Sequence, residues 1–355
     1  MRKKRILIAP LDWGLGHAAR CIPLIRHLLE KDCEVMLGAD GRALSLLEKE
    51  FPGLEHIIMP GYAISYPRHG SMALKMAAQA PKILRGIANE HDQLEKLVRD
   101  KKPDAVISDN RFGLWSKHIP CVFMTHQVMI KSPFGEGLLH RLNRQYISRY
   151  TECWVPDVGN GLSGDLGSRF ALPANTRYIG PLSRFEPGRR QVKSKRQLLV
   201  LLSGPEPQRT LFEKKICDQL AGTDIKALIV QGITEKNEHR MLNQNTEVVS
   251  HLTSQALSEE IPASGIVLSR PGYTTIMDLC ALGKKAFFVP TPGQTEQEYL
   301  ARTLMEKRIA YAMDQKSFDL TYGLQRSEEY TGFTDAYPFG GYKAALNRLI
   351  AGLGN

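Results

Sequence analysis

The stretch Ile266–Gln297, IVLSRPGYTTIMDLCALGKKAFFVPTPGQTEQ, constrains the fold more than any other part of the chain. Ile266–Leu268 is a short apolar run of strand type. SRPG then breaks the chain sharply, and Tyr273–Leu282 has helical spacing that stops at Gly283. Ala286–Val289 is a second apolar run, and a Pro/Gly-rich loop leads into the helical segment Glu296–Arg308. Strand, turn, helix, strand, loop and helix form the repeating unit of a parallel sheet with helices on its faces. The turn carries the chemistry. Pro271 and Gly272 let the backbone enter the helix tightly, leaving first-turn amides free to face an anion. Asp278 lies four residues beyond Thr274, on the same helix face. Amides with the hydroxyls of Thr274 and Thr275 suit a phosphate, and the Asp278 carboxylate suits a ribose diol. An ordinary βαβ unit with a solvated Asp278 fits the spacing equally well.

The same alternation runs through the rest of the chain. Arg5–Ala9, Glu34–Gly38, Glu55–Met59, Asp104–Ser108, Pro120–Thr125, Glu152–Pro156 and Arg177–Ile179 read as strands of a first sheet. Ala18–Lys31 and Gly41–Glu50 read as helices, and Ser71–Lys101 as a helical region that Pro81 should break or kink. Ser183–Arg196 is basic and poor in apolar residues, as an interdomain linker is. Strands then restart at Gln197–Leu202, Lys226–Val230 and Glu247–Ser250, with a helix over Gln208–Leu220. Ser317–Phe339 reads as irregular, and Lys343–Ile350 as a closing helix. The expected domains are 1–182, a linker 183–196, 197–337, and a C-terminal segment 338–355.

Polar residues at strand ends are the candidates for chemistry, because parallel sheets bind ligands there. Gly14 and Gly16 permit close backbone approach just before a helix N-terminus. His17 follows them: either it presents an imidazole to the cleft as a base, or it bonds its own loop. Asp109 ends the strand DAVIS, as a partner for an acceptor or for His17, or as a loop cap. His126 lines the cleft or is a structural histidine. Ser203-Gly204 is a second strand-to-helix phosphate candidate, although Pro205 and Pro207 reduce its amide donors.

Composition narrows the class. With 355 residues, 43% hydrophobic and 24% charged, the chain has room for about two domains with a substantial core. No apolar run approaches the roughly 20 residues needed to span a bilayer. MRKKRILIAP is too short in its apolar part for a secretory signal, which points to a cytoplasmic protein. The six cysteines show no ligand spacing and read as buried thiols in a reducing compartment. A net charge of +10 suits nucleotide diphosphates or an anionic membrane surface. Nucleic acid is disfavoured by the lack of any recognition motif. Two amphipathic segments carry basic faces, SMALKMAAQAPKILRG with Lys75, Lys82 and Arg85, and Lys131–Tyr150 with Arg141, Arg144 and Arg149. They allow peripheral contact at the inner face of a membrane, although a solvated face is the commoner origin of such a pattern. The aromatic, basic loop Pro60–Gly70 borders a substrate cleft or is plain surface.

SRPGYTTIMDLCALGKKAFFVPTPGQTEQEYLA resembles the nucleotide-sugar half-site of GT-B glycosyltransferases, most closely family 28, which includes the N-acetylglucosaminyltransferase of peptidoglycan synthesis. The resemblance implies an α/β protein of GT-B fold, with two Rossmann-like parallel-sheet domains facing each other across a cleft. It implies that Ser269, Arg270 and Gly272 open the donor helix, that Asp278 binds ribose and that Gln297 reads the donor sugar. Asp stands at 278 where that family more usually has Glu, and Glu298 stands where it has a second Gln. Gly16-His17 matches the end of the family's first loop, while Asp12 and Trp13 replace its glycines. Gln231, at the end of KALIV, and Gln294 complete the expected nucleotide-sugar contacts. The final helix is implied to cross back onto the first domain.

The expectation is an inverting glycosyltransferase moving a sugar from a UDP-sugar donor to a hydroxyl acceptor, with His17 and Asp109 as catalytic residues and no metal or other cofactor required. No Asp-x-Asp triplet is present. Two alternatives stand beside it. Residues 14–21, GLGHAARC, also resemble the first loop of the UDP-sugar hydrolase of the pseudaminic acid pathway, with GT-B epimerases further off. A non-catalytic nucleotide-binding protein of the same fold is the other. Donor sugar, acceptor and oligomeric state are not written in the sequence.

Overall fold

The computed structural model describes residues 2–354 except 63, 65–71, 129–135, 160, 165, 167–171, 189–191 and 335–336, with only the backbone of 72–77, 136, 138 and 139. Strands β1 (Arg5–Pro10), β2 (Glu34–Ala39), β3 (Glu55–Ile58), β4 (Ala105–Asp109), β5 (Cys121–Met124), β6 (Glu152–Val155) and β7 (Thr176–Tyr178) form one sheet. Its order is β3-β2-β1-β4-β5-β6-β7, and every pairing is parallel. Between these strands run helices α1 (Leu15–Glu30), α2 (Gly41–Glu50), α3 (Met72–Lys101) and α4 (Glu136–Ile147).

The second sheet contains β8 (Arg196–Leu201), β9 (Ala227–Val230), β10 (His239–Asn243), β11 (Thr246–Val249), β12 (Ser264–Ser269), β13 (Ala286–Phe288) and β14 (Tyr311–Ala312), in the order β10-β11-β9-β8-β12-β13-β14. Its helices are α5 (Gln208–Leu220), α6 (Ser254–Glu260), α7 (Tyr273–Ala281), α8 (Thr295–Glu306) and α9 (Leu320–Ser327). The last helix, α10 (Gly341–Gly352), packs Ala345 and Leu346 into the same core as Ile22 and Ile25 of α1. His27 Nε2 meets Asn347 Oδ1 at 2.9 Å beside that contact. The chain therefore ends on the domain where it began.

Central strands are apolar runs because both faces are covered. β4 and β5 are buried at every position, as a parallel sheet between helix layers requires. Register then sets the functional geometry. Pro10 lies opposite Asp109, and Asp109 opposite Met124, so the loops leaving β1, β4 and β5 start side by side. In the second sheet Leu201 lies opposite Ser269, and Ser269 opposite Phe288, which aligns the loops at 202–207, 270–272 and 289–294.

Several sequence expectations differ from the structure. Pro81 does not interrupt α3. The residue is solvent-exposed, so water can take up the carbonyl that loses its partner. The segment read as irregular contains α9, capped by the Asp319 side chain on the Tyr322 amide at 2.8 Å. β10 was missed because HRMLN is a polar antiparallel edge, exposed over its first three residues, with no apolar alternation. β14 was missed because it is two residues long.

Candidate active site

Gly14 adopts φ 86° before α1, a conformation that a side chain disfavours. That turn brings His17 into the first turn of α1 and Arg20 one turn further along the same face. Both point at Asp109. Arg20 Nε donates to Asp109 Oδ2 at 2.6 Å, and Nη2 donates to Oδ1. His17 Nδ1 lies 3.2 Å from Asp109 Oδ1 and 2.9 Å from Arg20 Nη2. Arg20 and Asp109 are buried, whereas the His17 side chain keeps 13% exposure, and its Nε2 has no protein partner among the described residues. An imidazole held at Nδ1 with Nε2 unpartnered can exchange a proton with a group that reaches Nε2.

The charges follow from burial and pairing. Burial would raise the Asp109 pKa, but Arg20 and then His17 outweigh it and hold the carboxyl down at about 2. Burial lowers the His17 pKa below its ordinary value; Asp109 opposes this and Arg20 reinforces it. At neutral pH the pair is therefore a carboxylate beside a neutral imidazole.

Arg20 also reaches His126, just beyond β5, with Nη1 2.7 Å from His126 Nδ1. The other nitrogen of His126 crosses to the second domain, where Nε2 lies 2.7 Å from Glu296 Oε1 in the first turn of α8. Burial would raise the Glu296 pKa, yet His126 outweighs it and keeps the carboxyl below its ordinary value. The His126 ring stacks on Tyr273 with centroids 4.4 Å apart and an interplanar angle of 7°. Thr274 Oγ1, in the next position of α7, donates to the Gly16 carbonyl at 3.0 Å. The first loop thus touches the start of α7 directly.

The second domain treats its expected site residues unevenly. Gly272 caps α7 without a side-chain bond, so the helix opens on bare amides, and Thr275 is only half-buried. Ser203 is half-buried, and Gly204, at φ 100°, faces open space where a Cβ would stand. Gly204 also lies against Gly14, its Cα 3.7 Å from the place of a Gly14 Cβ. Gln294 caps α8 by accepting the Gln297 amide at 2.7 Å, and Gln297 Oε1 accepts the Thr291 amide at 2.7 Å. Gln231 donates to Glu213 Oε1 beside Arg209, which anchors it within its own domain.

Arg270 and Asp278 are both buried among protein partners. Arg270 is 1% exposed and lies inside the second domain. Its Nη1 donates to the carbonyls of Val289 and Pro290, both at 2.9 Å, and Nη2 to Gln208 O at 3.2 Å and to Gln315 Oε1. A guanidinium with those acceptors braces the loops around it. Asp278 is also buried, and its carboxylate accepts Ser183 Oγ at 2.8 Å, the Arg184 amide at 3.3 Å and Arg184 Nε at 2.9 Å. In this arrangement the donors on Asp278 come from the segment that joins the two sheets. The Ser183 hydroxyl that meets Asp278 on that helix face arrives from 95 residues upstream.

Arg20 and Glu296 were not singled out from sequence. The available signal for Arg20 was its i+3 spacing from His17; Glu296 showed nothing beyond an acid in a first helical turn. Residues 65–70 of the aromatic loop, residues 131–135 of the second basic segment, and the side chains of Lys75, Leu138 and Leu139 lie outside the described residues. Among the described residues no group of three or more His, Cys, Asp or Glu side chains could hold a metal ion, and no helix is long and apolar enough to cross a membrane.

Comparison with known proteins bears on the fold and the class of protein. Residues 208–327 match the glycosyltransferase family 28 C-terminal domain. An uncharacterized glycosyltransferase of Methanosarcina mazei is 23% identical over 328 residues, covering 85% of this chain and 84% of the relative. The UDP-N-acetylglucosamine–N-acetylmuramyl-(pentapeptide) pyrophosphoryl-undecaprenol N-acetylglucosamine transferase of Clostridium tetani is 26% identical over 310 residues, covering 82% and 78%. Among solved structures, Acinetobacter baumannii MurG superposes with TM-score 0.56 at 14% identity, over 99% of this chain and 100% of that one. The spinosyn rhamnosyltransferase SpnG gives TM-score 0.62 at 14% identity, over 98% and 96%.

Two parallel-sheet α/β domains meeting at their strand ends define a GT-B protein. With the matched C-terminal domain and relatives aligned over most of their length, the chain is a glycosyltransferase of that fold, similar to family 28.

Proposed function

We propose that this enzyme transfers a sugar from a UDP-sugar to a hydroxyl acceptor with inversion and without a metal. The observation that carries the proposal is the contact between the two half-sites. His17, with Nδ1 on Asp109 and Nε2 open, sits one residue from the Gly16 carbonyl that receives Thr274 at the start of α7. A base and a cluster of helix-start amides then face one another across the cleft. His17 Nε2 would take the proton of the acceptor hydroxyl as it attacks the anomeric carbon from the face opposite the leaving group. The amides at Gly272–Thr275, with Ser203 and Gly204, would receive the charge that develops on the departing diphosphate. Gln297, in the first turn of α8, is suited to donor-sugar hydroxyls.

In this reading residues 1–182 carry the acceptor, 197–337 the nucleotide sugar, 183–196 link them, and 338–355 return to the first domain. The UDP moiety is favoured by the UDP-N-acetylglucosamine donor of the Clostridium tetani relative. Basic side chains along α3 and α4, with exposed Leu84 and Leu142 among them, suit an acceptor or membrane surface bearing phosphate at the cytoplasmic face.

A second reading has one observation in its favour. In the GLGHAAR segment that resembles a UDP-sugar hydrolase, Arg20 is built into the His17 pair. Water would then replace the acceptor. A thermal-shift screen of UDP, GDP, dTDP and their sugars identifies the donor, since a ligand of the native state raises Tm. Sugar release is then measured with and without acceptor. Fast, complete hydrolysis with no acceptor present would reject transfer.

A further inference from the structure

Arg20 joins three groups that chemistry distinguishes, and the join passes between domains. An arginine only donates, so His126 Nδ1, 2.7 Å from Nη1, must be an acceptor. The His126 proton therefore sits on Nε2, facing the Glu296 carboxylate at 2.7 Å, which only accepts. Each bond fixes the polarity of the next. The ring plane is held as well, by its stack on Tyr273, whose hydroxyl donates to Pro156 O at 2.6 Å.

At the other end of Arg20, His17 Nδ1 has two neighbours of opposite kind. Accepting from Arg20 Nη2 places the proton on Nε2, whereas donating to Asp109 Oδ1 leaves Nε2 as a free base. The position of the guanidinium between those neighbours selects the outcome. That position is set at Nε and Nη2 by Asp109 within the first domain, and at Nη1 by His126. His126 in turn depends on a carboxylate that belongs to the second domain.

We propose that Arg20, His126 and Glu296 are a positioning chain that completes the His17 site only when the two domains are closed on each other. Withdrawal of Glu296 leaves His126 Nε2 without its acceptor. The ring then loses the anchor that holds Nδ1 against Arg20; once it slips from Nη1 its proton distributes over both nitrogens, and Arg20 shifts from its place beside His17. Closure around a donor would thereby assemble the base in the same movement that brings the α7 amides to the cleft. The positioning itself is independent of the reaction; only its effect on turnover rests on the transferase reading.

The test uses the full-length chain labelled with 15N-histidine, and imidazole nitrogen NMR to read the tautomers of His17 and His126. In the wild type, His126 should show a protonated Nε2 and a lone-pair Nδ1. Glu296→Ala should move both nitrogens of His126 towards the mixed-tautomer position and shift those of His17 with them. Glu296→Gln removes the charge but keeps an acceptor oxygen, so it should retain the wild-type pattern at both rings. Should Glu296→Ala fail to fold, His126→Phe, which keeps a ring against Tyr273, should shift His17 in the same way. Unchanged His17 signals in the folded variant overturn the proposal. So does an equal shift in Glu296→Gln and Glu296→Ala, because a through-space charge effect then explains both. With a donor in hand, kcat should fall by roughly ten-fold or more in Glu296→Ala and recover in Glu296→Gln. If no donor turns over, the NMR result still decides the positioning, and the transferase reading fails separately.

Discussion

Asp278 Oδ2 receives Arg184 Nε at 2.9 Å, and this bond ties helix α7 to the segment between the two sheets. Burial raises the Asp278 pKa while Arg184 and Ser183 pull against it, so the pair exists because its partners satisfy a buried carboxylate. Removing one member leaves the other without compensation. Asp278→Asn and Arg184→Met should each destabilise the fold by about 3 kcal/mol, with the double variant much less than additive. Chemical denaturation of the four proteins measures the coupling. UDP titration of folded Asp278→Asn adds a second readout. A few-fold change in affinity fits a linker role, and abolished binding fits the ribose contact expected from sequence.

His17→Ala should lower kcat by about 10²- to 10⁴-fold while UDP binding persists, since the imidazole is proposed to act on the acceptor proton and not on the nucleotide. Burial lowers the His17 pKa from its ordinary 6.5. A base must be neutral, so kcat/KM should stay level as pH falls through 6.5 and decline only at a lower pH. A decline centred above 6.5 would contradict the assignment.

Asp109 sets an acid limit on stability. Its folded value of about 2 lies below the ordinary 3.8, so its contribution is fully present above about pH 4 and is lost as pH falls through about 2. A shift of this size corresponds to about 2 kcal/mol. Asp109→Asn should therefore be less stable than wild type at pH 7, and the gap should close towards pH 2. A gap that is the same at both pH values would show that the carboxylate charge contributes nothing.

Gly14→Ala tests the first turn. The position holds φ 86°, but an added Cβ would meet only ordinary contact, 3.7 Å from Gly204 Cα. The expected cost is about 1–2 kcal/mol from backbone strain, visible as a lower Tm. Turnover should drop by more than the fraction unfolded, because the turn aims His17.

The sequence determined what short-range physics determines. Apolar runs, breaks and helical spacing gave two parallel-sheet halves, and the Pro-Gly turn with its helix gave α7 almost to the residue. His17 and Asp109 stand out as candidates in the sequence because one follows a glycine turn at a helix start and the other ends a strand, where a parallel sheet exposes its polar loops. Polar, exposed β10 was not legible, because a strand of that kind has no apolar alternation to reveal it.

Tertiary structure alone decided which polar groups satisfy one another. Arg270 and Asp278 stand where local spacing put them, yet each is saturated by atoms far away in the chain: Val289, Pro290, Gln208 and Gln315 for the first, Ser183 and Arg184 for the second. Arg20, His126 and Glu296 became one chain of bonds only because the domains close with their strand ends together. A buried donor or acceptor must find a partner wherever folding brings one, and that search runs through space, across separations that no local pattern encodes.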